Sequence, residues 1–193
     1  MFCAMDLQHT MRSLIRGVPR IAIGGVPAER AGEERLAYRR LQLQPSRLQL
    51  LSDFGDGEAI PFAHSADGGG FAPPLSWTGV PKEARSLALL VEDPDAPTPN
   101  PFVHWIVYGI PPAAESIGAA LAQGAHAGRN SMMRPHWAGC APPKGDSAHR
   151  YVFQLFALDG PLHLRTHAGR SALVEAMRHR VIGLGLLTGT YRR

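Results

Sequence analysis

Three polar clusters in this 193-residue sequence combine side chains that can do chemistry. Asp93 and Asp95 lie in the run DPDAP, His104 lies in FVHWIVYGI, and His149 closes the run GCAPPKGDSAH. An imidazole N–H donates to an anion, and a nearby carboxylate favours the cationic ring. One carboxylate and two imidazoles gathered in one cavity therefore suit a phosphate or carboxylate group. Gly139, lacking a Cβ, would let backbone N–H groups approach the same ligand. Taken singly these residues are ordinary: a strand histidine is often a satisfied core or edge residue, and Asp in a turn caps its own backbone. Their joint occurrence carries the reading.

Asp93, His104 and His149 would also serve a hydrolase as acid, base and orienting group. That alternative lacks a Gly-x-Ser-x-Gly elbow and a separate nucleophile with a specific setting. No metal centre and no cofactor are expected.

The elements that must position these residues are mostly strands. Gly 21 and Pro 17 point to many turns and a β-rich fold. LQLLSDF reads as a strand, HSADGGGFAPPLSW as a loop, and SLALLVED as a strand buried on both faces. In FVHWIVYGI, alternation puts Val103, Trp105 and Val107 on one face and His104, Ile106 and Tyr108 on the other. Residues 113–148 read as an irregular region that is functional or hides short elements. In RYVFQLFALD, Tyr151, Phe153 and Leu155 oppose Val152, Gln154 and Phe156. SALVEAMRHR reads as a helix with Ser171 as N-cap, and VIGLGLLTGTYRR as a closing strand. The class is β-dominated: a two-sheet antiparallel sandwich with a few peripheral helices.

Residues 1–47 read as an N-terminal extension, a solvated tail or short helix, with Leu36 and Leu41 too sparse for a broad apolar face. Residues 48–193 form the domain. Two cysteines, Cys3 and Cys140, make a disulfide framework unexpected and a reducing, cytoplasmic compartment the default. The net charge of +4 is concentrated in N-terminal arginines without a recognisable nucleic-acid module, so no nucleic-acid partner is expected. No run reaches the ~18 apolar residues of a membrane span. Arg16 and Arg20 interrupt the only candidate signal-peptide core, and Met11 is an alternative start.

DPDAP, then HW, then GxAPPKGxxxHRYVFxLFALD, together with PPLSW and GVP between Pro73 and Pro81 and GRN at Gly128–Asn130, resemble the phosphatidylethanolamine-binding protein family. That family includes the Raf kinase inhibitor proteins and bacterial relatives. The resemblance covers about Leu48 to Tyr191. It implies a small pocket for the phosphate head group of a phospholipid such as phosphorylethanolamine, or for a phosphorylated side chain. Carried over by position, Asp93, His104 and His149 form its polar wall. Gly139 and Tyr151 lie at its rim or floor, and Pro97 and Pro142 shape it. The resemblance further implies a non-catalytic binding protein, a kinase as a candidate partner, and a homodimer. The chain departs from the pattern at Cys140, which stands where the family often carries a proline. It departs also in GGGFAPPLSW, which lacks the usual Asn and Ser, and in MMRPHW.

Overall fold

The computed structural model describes residues 30–193. The signal-peptide reading, the alternative start at Met11, and Cys3 lie outside the described residues. Seven strands are present: β1 (Gln49–Leu51), β2 (Ser76–Thr78), β3 (Ser86–Asp93), β4 (Phe102–Ile110), β5 (His126–Ala127), β6 (His149–Leu158) and β7 (Val181–Tyr191). Three helices accompany them: α1 (Ala37–Arg40), α2 (Ile117–Ala122) and α3 (Arg170–Met177). The main sheet runs in the order β5-β4-β3-β6-β7, and β1 and β2 form a second, smaller sheet. Every pairing is antiparallel, as a sandwich requires.

β3 lies at the centre of the main sheet, and all of its residues are buried. That is why SLALLVED reads as a continuous run rather than an alternation: both faces are covered. On the first face, Leu87, Leu89 and Val91 pack with Phe153 and Leu155 against Leu48, Leu50 and Trp77 of the small-sheet layer. On the second, Ala88, Leu90 and Phe156 pack against Leu173, Val174 and Met177 of α3.

The second face also holds part of the N-terminal extension: of the two expectations, a solvated tail is corrected for residues 36–38, and a short helix is present at Ala37–Arg40. Leu36 and Ala37 are fully buried and Tyr38 nearly so. Each such large side chain contributes roughly 1.5–3 kcal/mol on burial, which helps offset the entropy of ordering the segment. Hydrogen bonds complete the docking. A helix start leaves backbone N–H groups without partners. Here Ala37 N donates to Glu92 Oε2 at 2.9 Å and Tyr38 N to Gln154 Oε1 at 2.9 Å. The sheet itself thus caps α1.

Two local expectations also change. Ser171 does not cap α3: Gly169 holds the N-cap position, and Arg170 already belongs to the helix. The face assignment within β4 fails at one end. Val91 pairs with Trp105 but Glu92 pairs with Val103, so His104 is an extra residue in the ladder. This β-bulge interrupts the alternation. Val103 therefore joins the second-face core while Trp105 joins the first. His104 turns toward the first face, where its ring lies 4.9 Å from that of Tyr151. The irregular region 113–148 does hide short elements, α2 and β5.

Candidate functional site

The bulge matters because the other polar residues occupy the first face by ordinary alternation. Asp93 follows Leu89 and Val91 along β3, and His149 precedes Tyr151 and Phe153 along β6. These adjacent strands bring the two side chains together. His149 Nδ1 donates to Asp93 Oδ2 at 2.8 Å, with side chains 1% and 5% exposed. The other oxygen, Asp93 Oδ1, accepts from the Asp95 backbone N–H at 2.8 Å. Asp93 thus closes its own turn and orients an imidazole.

Asp95 points elsewhere. It accepts from Arg150 N and Nε at 2.9 Å and from Arg150 Nη2 at 2.8 Å. Although burial works against the charge, these bonds hold the Asp95 carboxyl below its usual pKa. Arg150 also donates to Glu33 at 3.2 Å, which ties the N-terminal segment to this side of the site.

The two histidines are set in opposite directions. Burial alone would pull the His149 imidazole down, but the hydrogen bond and charge of Asp93 outweigh it and hold the ring above its ordinary pKa. Burial dominates at His104 and holds that ring below its ordinary value. His104 Nδ1 lies 2.6 Å from the Ala138 carbonyl, which can only accept, so Nδ1 carries the proton. In the neutral ring Nε2 is then an acceptor. Phe102, Trp137 and Tyr151 surround this ring at centroid distances of 4.8, 5.5 and 4.9 Å.

Three buried polar atoms have no hydrogen-bond partner among the described residues; Arg193 Nε lies in an ion pair with Asp67, and the other two, His149 Nε2 and Tyr151 Oη, belong to this site. An unsatisfied buried group costs about 1–3 kcal/mol, so the site as folded carries unspent hydrogen-bonding capacity. Burial, the leading cause, pushes the Tyr151 phenol well above its ordinary pKa and keeps it a neutral donor. Asp146, not anticipated as a site residue, places Oδ2 3.7 Å from His149 Nε2 and 3.8 Å from Arg30 Nη2. Its position three residues before His149 in a stiff loop was the available signal. Trp137 was the other omission; its indole N–H donates to the His64 carbonyl at 3.0 Å and fixes the aromatic wall.

The remaining expected residues take supporting positions. Pro97 is exposed in the loop after β3, and Pro142 is buried in the loop leading to His149. Gly139 has a packing reason of its own: a Cβ there would lie 2.6 Å from Ala66 N and 2.8 Å from Ser65 C. The crossing segment is bonded in place, with Ala66 N donating to the Cys140 carbonyl at 3.0 Å. Gly139→Ala must therefore move backbone, and an overpacking cost of about 1–3 kcal/mol is expected. A lowered denaturant midpoint would show it; an unchanged midpoint would return Gly139 to a purely ligand-facing role.

Cys140 is fully buried, and burial pushes its thiol well above the ordinary range. Cys140 is thus a small packed side chain rather than a reactive thiolate. Cys140 is expected to resist iodoacetamide in the native protein and to label only on unfolding. Peptide mapping that found it alkylated under native conditions would contradict this. The sequence does contain one His-x-x-x-His spacing, His163 and His167, but it falls in a loop rather than on a helix. No group of three or more His, Cys, Asp or Glu side chains is placed to hold a metal ion among the described residues. Nor, among them, is any helix long and apolar enough to cross a membrane.

A family model described as phosphatidylethanolamine-binding protein matches residues 51–192. A UPF0098 protein of Pyrococcus horikoshii is 35% identical over 200 aligned residues, covering 100% of this chain and 96% of its own. The crystal structure of a putative phosphatidylethanolamine-binding protein homologue from Chlamydia trachomatis superposes with a TM-score of 0.70 at 39% identity, covering 77% of this chain and 99% of that one. Escherichia coli YbcL gives a TM-score of 0.70 at 31% identity, with the same coverage of both chains. The family-model match and these likenesses show that the chain belongs to the phosphatidylethanolamine-binding protein family.

Proposed function

We propose that this protein is a non-catalytic binding protein whose pocket takes a phosphate-type group. The observation that carries this reading is the pair of buried, unpartnered polar atoms, His149 Nε2 and Tyr151 Oη, on one face with His104. With Nδ1 committed to Asp93, His149 carries a proton on Nε2 only when the ring is cationic, and Asp93 favours that form. Tyr151 supplies a second donor. Neutral His104 supplies a lone pair, so a phosphate oxygen that still bears hydrogen satisfies it better than a fully ionised one.

Phosphate, phosphorylethanolamine and a phosphorylated side chain all present such a group. A kinase or its phosphorylated target as partner, a cytoplasmic setting and a homodimer belong to the same proposal and rest on the sequence and the family alone. Light scattering that returned a monomer at micromolar concentration would remove the dimer.

The test is a histidine-resolved NMR titration with phosphate and phosphorylethanolamine, in wild type and His149→Ala. The His104 and His149 signals should move together and saturate. Losing one hydrogen bond to a charged group is worth about 1.5–3 kcal/mol, so His149→Ala should weaken binding roughly ten- to a hundredfold. Histidine signals that stay still in a folded protein would defeat the reading. The buried Asp93–His149 pair also resembles a general base with its orienting acid. Turnover of a phosphoester or ester that vanished in His149→Ala would replace binding by hydrolysis.

A further inference from the structure

A second cluster of cationic side chains lies on the other side of the main sheet. A groove of about 470 Å³ is lined by Arg129, His163, Arg165, Thr166 and His167, together with Leu164, Ala168 and Ala172. That volume is in the range of small-ligand sites. No Asp or Glu lines the groove. Neither guanidinium forms an ion pair with a described carboxylate, unlike the paired Arg150 and Arg170.

The two arginines come from segments far apart in sequence, and backbone contacts hold those segments against each other. Arg129 N donates to the Ala168 carbonyl at 3.1 Å, and His167 Nδ1 donates to the Ala127 carbonyl at 3.1 Å. Between them, a Cβ at Gly128 would lie 2.4 Å from the Ala168 oxygen and 2.5 Å from Ile106. Only glycine permits so close a crossing. His167 is held at φ 57°, a conformation a side chain of its kind adopts at a cost. Like charges lining one groove repel one another, and no carboxylate in the lining offsets them.

We propose that this groove is a second anion site, for a phosphoryl group bearing two or more negative charges. Guanidinium groups match phosphoryl oxygens with paired, charge-assisted hydrogen bonds. The site is independent of the first, because Ala168 and Ile106 belong to the second-face core while His149 and Tyr151 face the opposite layer. An open groove of this kind is screened, so binding through it falls steeply with salt.

The experiment uses inorganic pyrophosphate as probe and His149→Ala as background, which weakens the first site so that its contribution is separable. In that background, the His163 and His167 ring signals and the Ala168 and Ala172 amides should shift and saturate at low salt. Adding Arg129→Ala with Arg165→Ala, both exposed positions, should weaken that binding at least tenfold while the amide spectrum stays that of a folded protein. Shifts that grow linearly without saturating, or that survive both arginine substitutions, overturn the site. A second arm measures sedimentation with phosphatidylcholine vesicles containing phosphatidic acid. Co-sedimentation lost in the double-arginine variant supports the site with a lipid as the source. Saturable pyrophosphate binding without co-sedimentation supports it with a soluble phosphate. If neither probe binds in the His149→Ala background, the second site is absent, whatever the fate of the first.

Discussion

Glu92→Ala is expected to cost about 3–5 kcal/mol of folding stability, the range for removing one partner of a buried ion pair. Glu92 is wholly buried, yet it serves three donors at once. Arg170 Nε donates to Oε1 at 2.5 Å; Gln154 Nε2 at 2.7 Å and Ala37 N at 2.9 Å donate to Oε2. Removing the carboxylate strands a guanidinium that is only 15% exposed, with two further buried donors. The consequence extends beyond β3. Arg170 also donates through Nη2 to the Arg35 carbonyl at 2.6 Å, so the cluster joins α3, the main sheet and residues 35–38. Glu92→Gln keeps the shape and one acceptor but loses the charge, and it should fall between wild type and Ala. Chemical denaturation of the three proteins measures this ordering. Limited proteolysis should cut residues 30–47 sooner in Glu92→Ala. If Glu92→Ala unfolds at the wild-type midpoint, the cluster does not hold the segment.

That cluster also explains which parts of the fold were legible. The strands were readable because a chain covered on both faces must write long apolar runs, and SLALLVED and RYVFQLFALD do so. The docking of residues 30–47 was not readable. Its anchors, Glu92 and Gln154, are polar residues inside strands otherwise written in apolar letters, and nothing in their neighbourhood says what they bind. Leu36 and Leu41 looked too sparse because a one-turn helix needs only one or two anchors, here Leu36 and Tyr38, when the sheet caps it. His104 shows a different limit. Alternation grouped it with Ile106 and Tyr108, away from Trp105, and only an unpaired residue in the β3–β4 ladder turns it to Trp105's side. A bulge is a property of two strands in register and cannot be read from one of them. The clustering of Asp93, His104 and His149 was nevertheless anticipated, from residue types and the order of motifs. The separation of Asp93 from Asp95 was not, since it depends on where β3 stops. Val91 and Asp93 share a face by alternation, whereas Asp95 lies past the strand end and turns to Arg150.

Asp93→Asn is expected to lower the titration midpoint of His149 and, with it, anion affinity near neutral pH. An amide oxygen can still accept from His149 Nδ1 at the 2.8 Å position, but the amide NH2 then faces the Asp95 N–H, so the charge and the turn's hydrogen bond are lost together. The raised pKa of His149 depends on that charge. The sign for stability follows from linkage. A histidine raised on folding stabilises fully below its unfolded pKa of about 6.5, and that contribution disappears as pH rises through the folded value. His104, lowered on folding, behaves in reverse: its contribution is present above the unfolded value and is lost as pH falls through the folded one. Wild-type stability should therefore be squeezed from both sides, and Asp93→Asn should remove the stabilisation that His149 provides on the acidic side. Ligand affinity should fall on the basic side, as His149 loses its Nε2 proton and the phosphate loses the hydrogen that neutral His104 accepts. The measurements are His149 ring shifts against pH in both proteins, with phosphate affinity at each pH. A His149 midpoint unchanged by Asp93→Asn would show that the carboxylate does not set the ring's charge. Phosphate affinity that stayed flat across the wild-type titration would show that the cationic ring is not what holds the anion, and the pocket would then bind through Tyr151 and neutral contacts.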